Sequence, residues 1–372
     1  MDAIIESRIA RIRQTLSDQS LDALMVSVQE NRFYLSGFDG HDAQFDESAG
    51  VLIISDAHLV LATDSRFTLQ AQAEAPGFEI VCYQKGLKAE LAGIAANLNI
   101  RRLGFESARL SCKDHAAYAE ALANCQPTVE LVATTNLVEP LRQIKSEEEI
   151  QRTVRALRLA ESAFSEVVAT LRPEMTERQV AWALEKAMRE AGAQQLSFPV
   201  IVASGPNSAL PHAIPTDRPL APGEPIIVDW GARLDGYCSD TTRTLVIGRA
   251  DDTFQRVFDT VVAARDMAIA AITAGASGTQ VDKIARDHIE KSGYAGKFGH
   301  GLGHGTGLAV HEAPRLSPVR NDRLEAGMIV TVEPGIYLPG WGGVRMENQI
   351  VVLENGAQVL NAPAPFSPVI EG

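Results

Sequence analysis

The C-terminal part of the chain contains an internal near-repeat, and this feature constrains the fold most. The segment "TERQVAWALEKAMREAGA" (176–193) resembles "SGTQVDKIARDHIEKSGY" (277–294), and "PGEPIIVDWG" (222–231) resembles "AGMIVTVEPG" (326–335). The two matches occur in the same order at nearly the same offset, which is harder to attribute to chance than one match alone. Each half is predicted to run helix, helix, β-hairpin, so the sequence predicts a pseudo-twofold domain.

The part of the chain before this repeat has the pattern of a separate α/β domain. Short apolar segments predict strands over 22–29, 49–64 (two strands around the turn Ser55-Asp56-Ala57), 78–84 and 101–107, with helices near 65–75 and 86–97. Ser146 followed by Glu149 is a capping-box pattern and predicts the start of a long helix. We therefore predict an α/β (α+β) fold class, with an N-terminal mixed-sheet domain at 1–138 and a C-terminal domain at 139–372.

The charge and the cysteines narrow the functional classes. The 372 residues carry a formal net charge of −13, which argues against a nucleic-acid-binding surface, since that surface needs clustered Lys and Arg. The four cysteines form no CxxC pair and are expected to be free thiols in a reducing compartment: Cys82, Cys112, Cys125 and Cys238. The N-terminal "MDAIIESRIARIRQTL" predicts an amphipathic helix rather than a signal peptide, and no apolar run reaches the roughly 20 residues of a membrane span. We expect a cytoplasmic protein with no nucleic-acid or membrane partner.

Each predicted hairpin carries two carboxylates near its middle. In the first, Asp229 and Asp240 lie at similar distances on either side of the turn Leu234-Asp235-Gly236, so antiparallel pairing puts them within a residue or two of opposite positions. In the second, Glu333 ends an apolar strand and Glu347 lies on the returning strand. For any single acid an ordinary ion pair is an equal alternative. Four converging carboxylates, however, are unstable without neutralisation, and they suit two metal ions ~3.5–4 Å apart.

Histidines are concentrated in the glycine-rich segment "FGHGLGHGTGLAVHEAP" (298–314). It contains His300, His304 and His311, although the whole chain has only eight histidines. Glycine lets a backbone pass close to a metal site, so one or two of these imidazoles are expected to reach a common pocket. His212, in the loop sequence "SGPNSALPHAIP", is a further candidate. Oxygen-rich ligation with one imidazole favours two Mn²⁺ ions, with Co²⁺, Fe²⁺ or Zn²⁺ as alternatives.

Several of these motifs together resemble a known family. The segments "VDWGARLDGYCSDTTRT", "GHGLGHGTGLAVHE", "VTVEPGIY" and "GGVRMENQIVV" are similar to those of the pita-bread metallopeptidases, which comprise methionine aminopeptidase, Xaa-Pro aminopeptidase and prolidase, with creatinase as a metal-free relative. "NRFYLSGFDG" and "TDSRFTLQA" resemble the creatinase-type N-terminal domain of the proline-specific branch. The resemblance spans nearly the whole chain and implies a creatinase-like domain followed by a pita-bread catalytic domain.

The resemblance also implies roles for individual residues. It implies five metal ligands, which are Asp229, Asp240, His304, Glu333 and Glu347. The family's counterpart of Asp229 binds one ion through both oxygens, those of Asp240 and Glu347 bridge the ions, and those of His304 and Glu333 bind the other. His300 and His311 would line the substrate pocket. His311, with His212, would hydrogen-bond the scissile carbonyl or the leaving group.

The expected mechanism is metal-assisted hydrolysis of a peptide bond. A water bridging two cations has a lowered pKa and would attack as hydroxide. Glu333 would take its proton and deliver it to the leaving nitrogen, and a protonated His311 or His212 would help to stabilise the oxyanion. Arg345, on the same strand face as Glu347, would orient a carboxylate ligand or bind substrate, with a structural ion pair as an equal alternative.

The substrate implied by the resemblance is a peptide with proline at its second position. The sequence favours an Xaa-Pro aminopeptidase acting on longer peptides, with a prolidase acting on dipeptides as the close alternative. A creatinase-like C–N hydrolase and a non-catalytic peptide-binding protein of the same fold are remoter alternatives, because those relatives are expected to lose ligands that this chain keeps. The family also implies a homodimer.

Overall fold

The computed structural model describes residues 2–42, 44, 47–362 and 367–371. The chain divides into two units, residues 1–142 and 143–372. This division falls inside a short helix, close to the boundary at 138/139 proposed from the sequence. In the described ranges, no helix is both long enough and apolar enough to cross a membrane.

The N-terminal unit is built around one mixed sheet. Its elements are α1 (Ala3–Asp18), β1 (Ala23–Val26), α2 (Gln29–Ser36), β2 (Val51–Ser55), β3 (Leu59–Thr63), α3 (Thr68–Glu74), β4 (Glu79–Cys82), α4 (Leu87–Asn97), β5 (Arg102–Glu106), α5 (Cys112–Ala123) and β6 (Glu130–Thr134), followed by α6 (Glu139–Gln143) at the division. The strand order is β4-β3-β2-β1-β5-β6, and β1 pairs antiparallel with β2 but parallel with β5. The mixed sheet expected from the sequence is therefore confirmed.

Apolar periodicity explains most of this unit. Helix α1 buries Ile9, Ile12 and Leu16, which share one face at helical spacing, while its other positions are largely polar. Strands β1 and β2 are buried along their whole length, as expected for central strands covered on both faces. The sequence reading missed α2, α5 and β6. In β6, for example, Glu130 and Ala133 are exposed, so the apolar signal of that edge strand is weak.

The C-terminal unit contains two halves with the same order of elements. The first half has α7 (Glu147–Val168), α8 (Glu177–Glu190), β7 (Gln195–Leu196), β8 (Ile201–Ser204), β9 (Ile226–Trp230), β10 (Ala232–Leu234), β11 (Tyr237–Cys238) and β12 (Thr241–Ile247). The second half has α9 (Asp252–Ala270), α10 (Gly278–Ile289), β13 (Gly303–Gly305), β14 (Glu312–Ser317), β15 (Arg320–Asn321), β16 (Ile329–Val332), β17 (Gly335–Leu338), β18 (Gly342–Arg345), β19 (Asn348–Leu353), β20 (Gly356–Val359) and β21 (Val369–Ile370). Strands β9 and β12 pair antiparallel in one half, and β16 and β19 pair antiparallel in the other.

Local capping chemistry sets where the repeated helices begin. Ser146 and Glu149 form the predicted capping box at the start of α7. The hydroxyl of Thr176 accepts from the backbone N–H of Gln179 at the start of α8, and Ser277 and Gln280 repeat this contact at the start of α10. The near-repeat of the sequence is therefore a structural repeat of two helices and a hairpin.

Candidate metal centre and substrate cavity

The first hairpin places two aspartates side by side. Asp229 lies in β9 opposite Thr242 of β12, which is two residues beyond Asp240, so the two aspartates lie within the register range expected from the sequence. The turn Asp235-Gly236 has positive φ at both residues, which matches the tight two-residue turn that aspartate and glycine favour. Behind Asp229, the indole of Trp230 stacks on Phe164 of α7 with ring centroids 4.1 Å apart, which anchors the strand to the core.

The second hairpin places two glutamates in the same way. Val332 of β16 pairs with Asn348 of β19, so Glu333 and Glu347 are the neighbouring positions where the two strands leave the ladder. Thr242 of the first hairpin donates its hydroxyl to Oε2 of Glu347 over 2.8 Å. The two halves of the repeat therefore meet at their acidic residues.

The carboxylates of the two hairpins converge in a buried cluster. Asp229, Asp240 and Glu347 each offer a carboxylate oxygen, and these atoms all lie within 4.8 Å of one another. Oδ1 of Asp229 and Oε1 of Glu347 are buried and have no hydrogen-bond partner among the described residues. Burial, followed by the charge of Glu347, raises the pKa of Asp240 well above its usual value, and burial with the charge of Glu333 does the same for Glu347. Buried acceptor-only oxygens that repel one another fit divalent cations.

His304 completes this cluster from the glycine-rich segment. Its Nε2 lies 3.6 Å from Oδ2 of Asp240 and 3.4 Å from Oε1 of Glu333. Its Nδ1 lies 3.1 Å from the carbonyl oxygen of Gly305, which can only accept, so Nδ1 carries the proton. Burial, and then the charge of His311, lower the pKa of His304 to about 3, so the imidazole is neutral and its Nε2 lone pair faces two carboxylates. A cation between them would turn this repulsion into coordination.

The glycines beside His304 are required by close packing. A Cβ atom on Gly303 would lie 2.0 Å from the carbonyl oxygen of Thr331, and one on Gly305 would lie 2.2 Å from that of Ala313. Any side chain at either position would push β13 away from its neighbours. The sequence-based explanation, that glycine allows this segment to approach the acidic residues, agrees with this geometry.

Arg345 links the acidic cluster to the loop that carries His212. Its Nη2 donates to Oδ2 of Asp229 over 2.6 Å, and its Nη1 donates to the hydroxyl of Tyr337 over 2.9 Å and to the carbonyl of Pro211 over 3.1 Å. Its Nε donates to Thr242 over 3.1 Å. The guanidinium is buried, and each of its three nitrogens donates to an acceptor within the protein, which favours the orientation of Asp229 as its role.

A cavity of about 650 Å³ opens onto the cluster. Its wall contains the carboxylates and imidazoles named above, together with His212, His300, His311 and Arg345, and an apolar side formed by Phe198, Pro199, Val200, Ile201, Pro211, Ala213, Ile214 and Pro215. His300 uses both ring nitrogens within the protein, with Nδ1 near the carbonyl of Gly301 at 2.8 Å and Nε2 near the hydroxyl of Tyr337 at 2.9 Å. It therefore shapes the cavity wall more than it offers a free hydrogen-bonding group.

His311 and His212 lie on the exposed side of this wall. His311 packs edge-on against His304 with ring centroids 4.3 Å apart. Partial burial, and then the charge of Arg315, lower the pKa of His311. A lowered pKa favours the neutral ring of His311 over the protonated ring expected from the sequence, and a neutral ring would act on a substrate oxygen through its N–H.

Two charged residues of this region were missed in the sequence. Arg315 lines the cavity, and in the described part of the chain no protein acceptor bonds its guanidinium. Glu177, at the start of α8, is fully buried. Its carboxylate accepts hydrogen bonds from the backbone N–H and the hydroxyl of Ser204, and from the same two groups of Thr216. It therefore holds both ends of the loop that carries His212. An acid in the first turn of a helix usually only complements the helix dipole, so this role leaves no pattern in the sequence.

Comparison with known proteins supports this description. Residues 151–354 match the family model for metallopeptidase family M24, and residues 8–144 match the creatinase/prolidase N-terminal domain. The peptidase YqhT of Bacillus subtilis (strain 168) is 38% identical over 95% of this chain and 97% of its own length. The solved structure of an Xaa-Pro dipeptidase from Bacillus anthracis is 37% identical with a TM-score of 0.91, covering 99% of both chains.

A second solved structure has a title that names the other activity. The X-Pro aminopeptidase from Thermotoga maritima MSB8 is 34% identical with a TM-score of 0.86, covering 95% of this chain and 98% of that one. The similarity covers both units of the chain, and the convergent acids of the second unit lie within the matched region. The chain therefore belongs to metallopeptidase family M24, and it carries the creatinase/prolidase N-terminal domain in front of a pita-bread catalytic domain.

Proposed function

We propose that this protein hydrolyses the peptide bond between an N-terminal residue and a following proline, and that its preferred substrate is the dipeptide. The observation that supports hydrolysis most strongly is the cluster of buried carboxylates facing the neutral Nε2 of His304. Two oxygens of this cluster have no hydrogen-bond partner in the described part of the chain. Asp229, Asp240, His304, Glu333 and Glu347 are the proposed ligands. Two divalent ions, Mn²⁺ before Co²⁺, Fe²⁺ or Zn²⁺, would supply an activated water and polarise the scissile carbonyl when bound.

The side chains around the cluster supply the remaining steps. Glu333 is the proposed proton carrier, because it is the acid whose carboxylate lies nearest the His304 ring and also contacts Thr331. The N–H groups of His311 and His212, from opposite halves of the repeat, would donate to the substrate's carbonyl oxygen or proline nitrogen. The apolar side of the cavity, with three prolines and Phe198, gives the substrate a wall from which water is excluded.

Arg315 supports the dipeptide as substrate. Its guanidinium lines the cavity beside His311, and its charge reaches both His304 and Glu333. A cation in the wall of this cavity suits the free carboxylate of a proline that directly follows the scissile bond. A longer peptide would place an amide there instead. The aminopeptidase remains the second candidate, favoured by the similarity to the Thermotoga maritima enzyme.

The test compares an Xaa-Pro dipeptide with the same dipeptide amidated at its C-terminus. If Arg315 binds the carboxylate, the amide is a poor substrate, and Arg315→Gln raises KM for the free dipeptide by roughly 10- to 100-fold, the equivalent of one charge-assisted hydrogen bond. The matched control is Arg323→Gln, which removes an exposed arginine outside this cavity. Equal cleavage of dipeptide, amide and Xaa-Pro-Xaa tripeptide would instead establish the aminopeptidase.

A further inference from the structure

A second cavity of about 560 Å³ lies within the C-terminal unit, and its chemistry differs from that of the first. Its described lining comprises Arg158, Arg243, Phe258, Val262, Arg265, Met346, Asn348, Gln358, Val359, Asn361 and Ala362. Three guanidiniums and three amides are therefore present, and no carboxylate is found among the described lining residues. In a chain of net charge −13, such a concentration of cations around one cavity is unusual.

Arg243 forms the buried end of this cavity. Its Nη1 donates to the carbonyl oxygens of Thr242, at 3.0 Å, and of Glu347, and these two contacts help to fix its guanidinium. Arg243 and Arg265 line the same cavity, and a guanidinium keeps its positive charge in proteins. Two guanidiniums thus repel each other across the cavity, and an anion bound between them would remove this repulsion.

The other two arginines already have acidic neighbours on their own helices. Arg158 contacts Glu161 at 2.6 Å, and that carboxylate also accepts from the backbone N–H of Ala362. Arg265 contacts Asp266 at 2.8 Å, but the Asp266 side chain is 59% exposed, and pairs of this kind are weak. Each guanidinium has five N–H donors, so donors remain for a further oxyanion.

An amide at the same cavity has an unused hydrogen-bonding atom. Within the described ranges, the buried Oδ1 of Asn348 has no hydrogen-bond partner. Rotating the amide by half a turn exchanges its oxygen for its NH₂ group, which would then donate to a bound oxyanion. Gln358 provides a further amide group in the lining, whereas the amide of Asn361 already bonds Glu161, Thr241 and the backbone of Gln349.

We propose that this cavity is a binding site for a phosphate group, either free phosphate or a small phosphate monoester, held by Arg243, Arg265 and Arg158. A phosphate dianion matches several forked guanidiniums better than a carboxylate does, because it offers more acceptor oxygens and twice the charge. The site lies outside the acidic cluster, and its occupancy does not depend on the peptidase activity proposed above.

The experiment measures binding of inorganic phosphate to the full-length chain by calorimetry, with acetate as the carboxylate probe. We expect saturable phosphate binding that is weakened at least about tenfold by Arg265→Gln, the equivalent of roughly 1.4 kcal/mol. Arg158→Gln, at a more exposed position of the same cavity, should weaken it in the same direction. Arg189→Gln is the control, because this arginine of α8 pairs with Glu185 away from the cavity and should leave binding unchanged.

Phosphate can also bind metal ions, so one further variant separates the two sites. Asp240→Asn removes a proposed metal ligand and should retain phosphate binding if the arginine cavity is the site. Loss of binding in Asp240→Asn, unchanged binding in both arginine variants, acetate binding as tight as phosphate, or no saturable binding at all would each overturn the proposal. A monoester such as glycerol 3-phosphate binding more tightly than inorganic phosphate would support it and assign the monoester as the ligand.

Discussion

Substituting Glu333 by glutamine should stabilise the metal-free protein while abolishing its catalytic centre. Burial raises the pKa of Glu333 from its usual 4.5 to about 8. Its neighbours Asp240 and Glu347 are raised in the same direction. Without metal, the folded chain must therefore either hold a proton on Glu333 or tolerate an additional buried charge. Glutamine has nearly the same shape and needs neither.

The sign and size of this effect follow from linkage. The Glu333 carboxyl binds its proton more tightly in the folded chain, where its pKa is about 8, than in the unfolded chain, where it is 4.5. The protonated side chain therefore contributes its full stability below pH 4.5, and this contribution is lost as the pH rises through about 8. One pKa unit corresponds to about 1.4 kcal/mol, so the shift of Glu333 corresponds to roughly 5 kcal/mol in the free energy of unfolding. The side chain is 18% exposed, so solvent reduces this figure, and we expect about 2–4 kcal/mol.

The assay is thermal unfolding of chelator-treated wild type and Glu333→Gln at about pH 5 and about pH 8.5. The melting temperature of the variant should exceed that of wild type by only a little at the lower pH and by roughly 5–10 °C at the higher pH, using the usual scaling for a unit of this size. Glu325→Gln, at an exposed position of the same unit, is the matched control and should show no such trend. If the difference in melting temperature between Glu333→Gln and wild type does not grow with pH, the raised pKa of Glu333 is not what destabilises the metal-free protein.

Three further predictions concern the cavity and its supports. Asp240→Ala and His304→Ala should lose metal and activity but keep the fold, as measured by elemental analysis alongside circular dichroism; full metal occupancy in both variants would remove them from the ligand set. His311→Ala should keep its metal and lower turnover by roughly 10²- to 10⁴-fold, the usual range for a positioned proton donor, and unchanged turnover at saturating substrate would exclude a catalytic role. Glu177→Gln should keep its metal but loosen the loop that carries His212, lowering turnover by roughly tenfold or more through misplacement, and wild-type kinetics would show that the clamp is only structural.

Features with local causes were predictable from the sequence. The start of α7 is specified by Ser146 and Glu149 alone, and the first hairpin by a two-residue Asp-Gly turn between apolar strands. From these the placement of Asp229 near Asp240 follows, because register is counted from the turn. Because the second half repeats the first, Glu333 and Glu347 are predicted to lie close together in the second hairpin in the same way.

Features with long-range causes were not predictable in this way. Arg315 reaches the cavity because β14 pairs with β13, and nothing near Arg315 in the sequence indicates that pairing. Glu177 holds Thr216, which is 39 residues away, and the contact depends on how the loop returns to the start of α8. The lowered pKa of His311 was not predictable for a similar reason, since it depends on burial and then on the charge of Arg315, both of which only the fold specifies.

The sequence could not distinguish between two roles for Arg345. In the sequence, the position of an arginine two residues before Glu347 is equally consistent with orienting a carboxylate and with binding a substrate. The structure provides four acceptors for it, from Asp229, Thr242, Tyr337 and the backbone of Pro211. These contacts favour the first role, in which Arg345 holds Asp229 in place beside the loop of the first half.

Metal-dependent hydrolysis of the peptide bond that precedes proline can be tested in one assay. Metal-stripped protein is reloaded with Mn²⁺ and assayed side by side on an Xaa-Pro dipeptide and on the same dipeptide with alanine in place of proline. We expect cleavage of the proline dipeptide alone, and only after reloading. Equal cleavage of both dipeptides, or cleavage by the stripped protein at the rate of the reloaded protein, would contradict it.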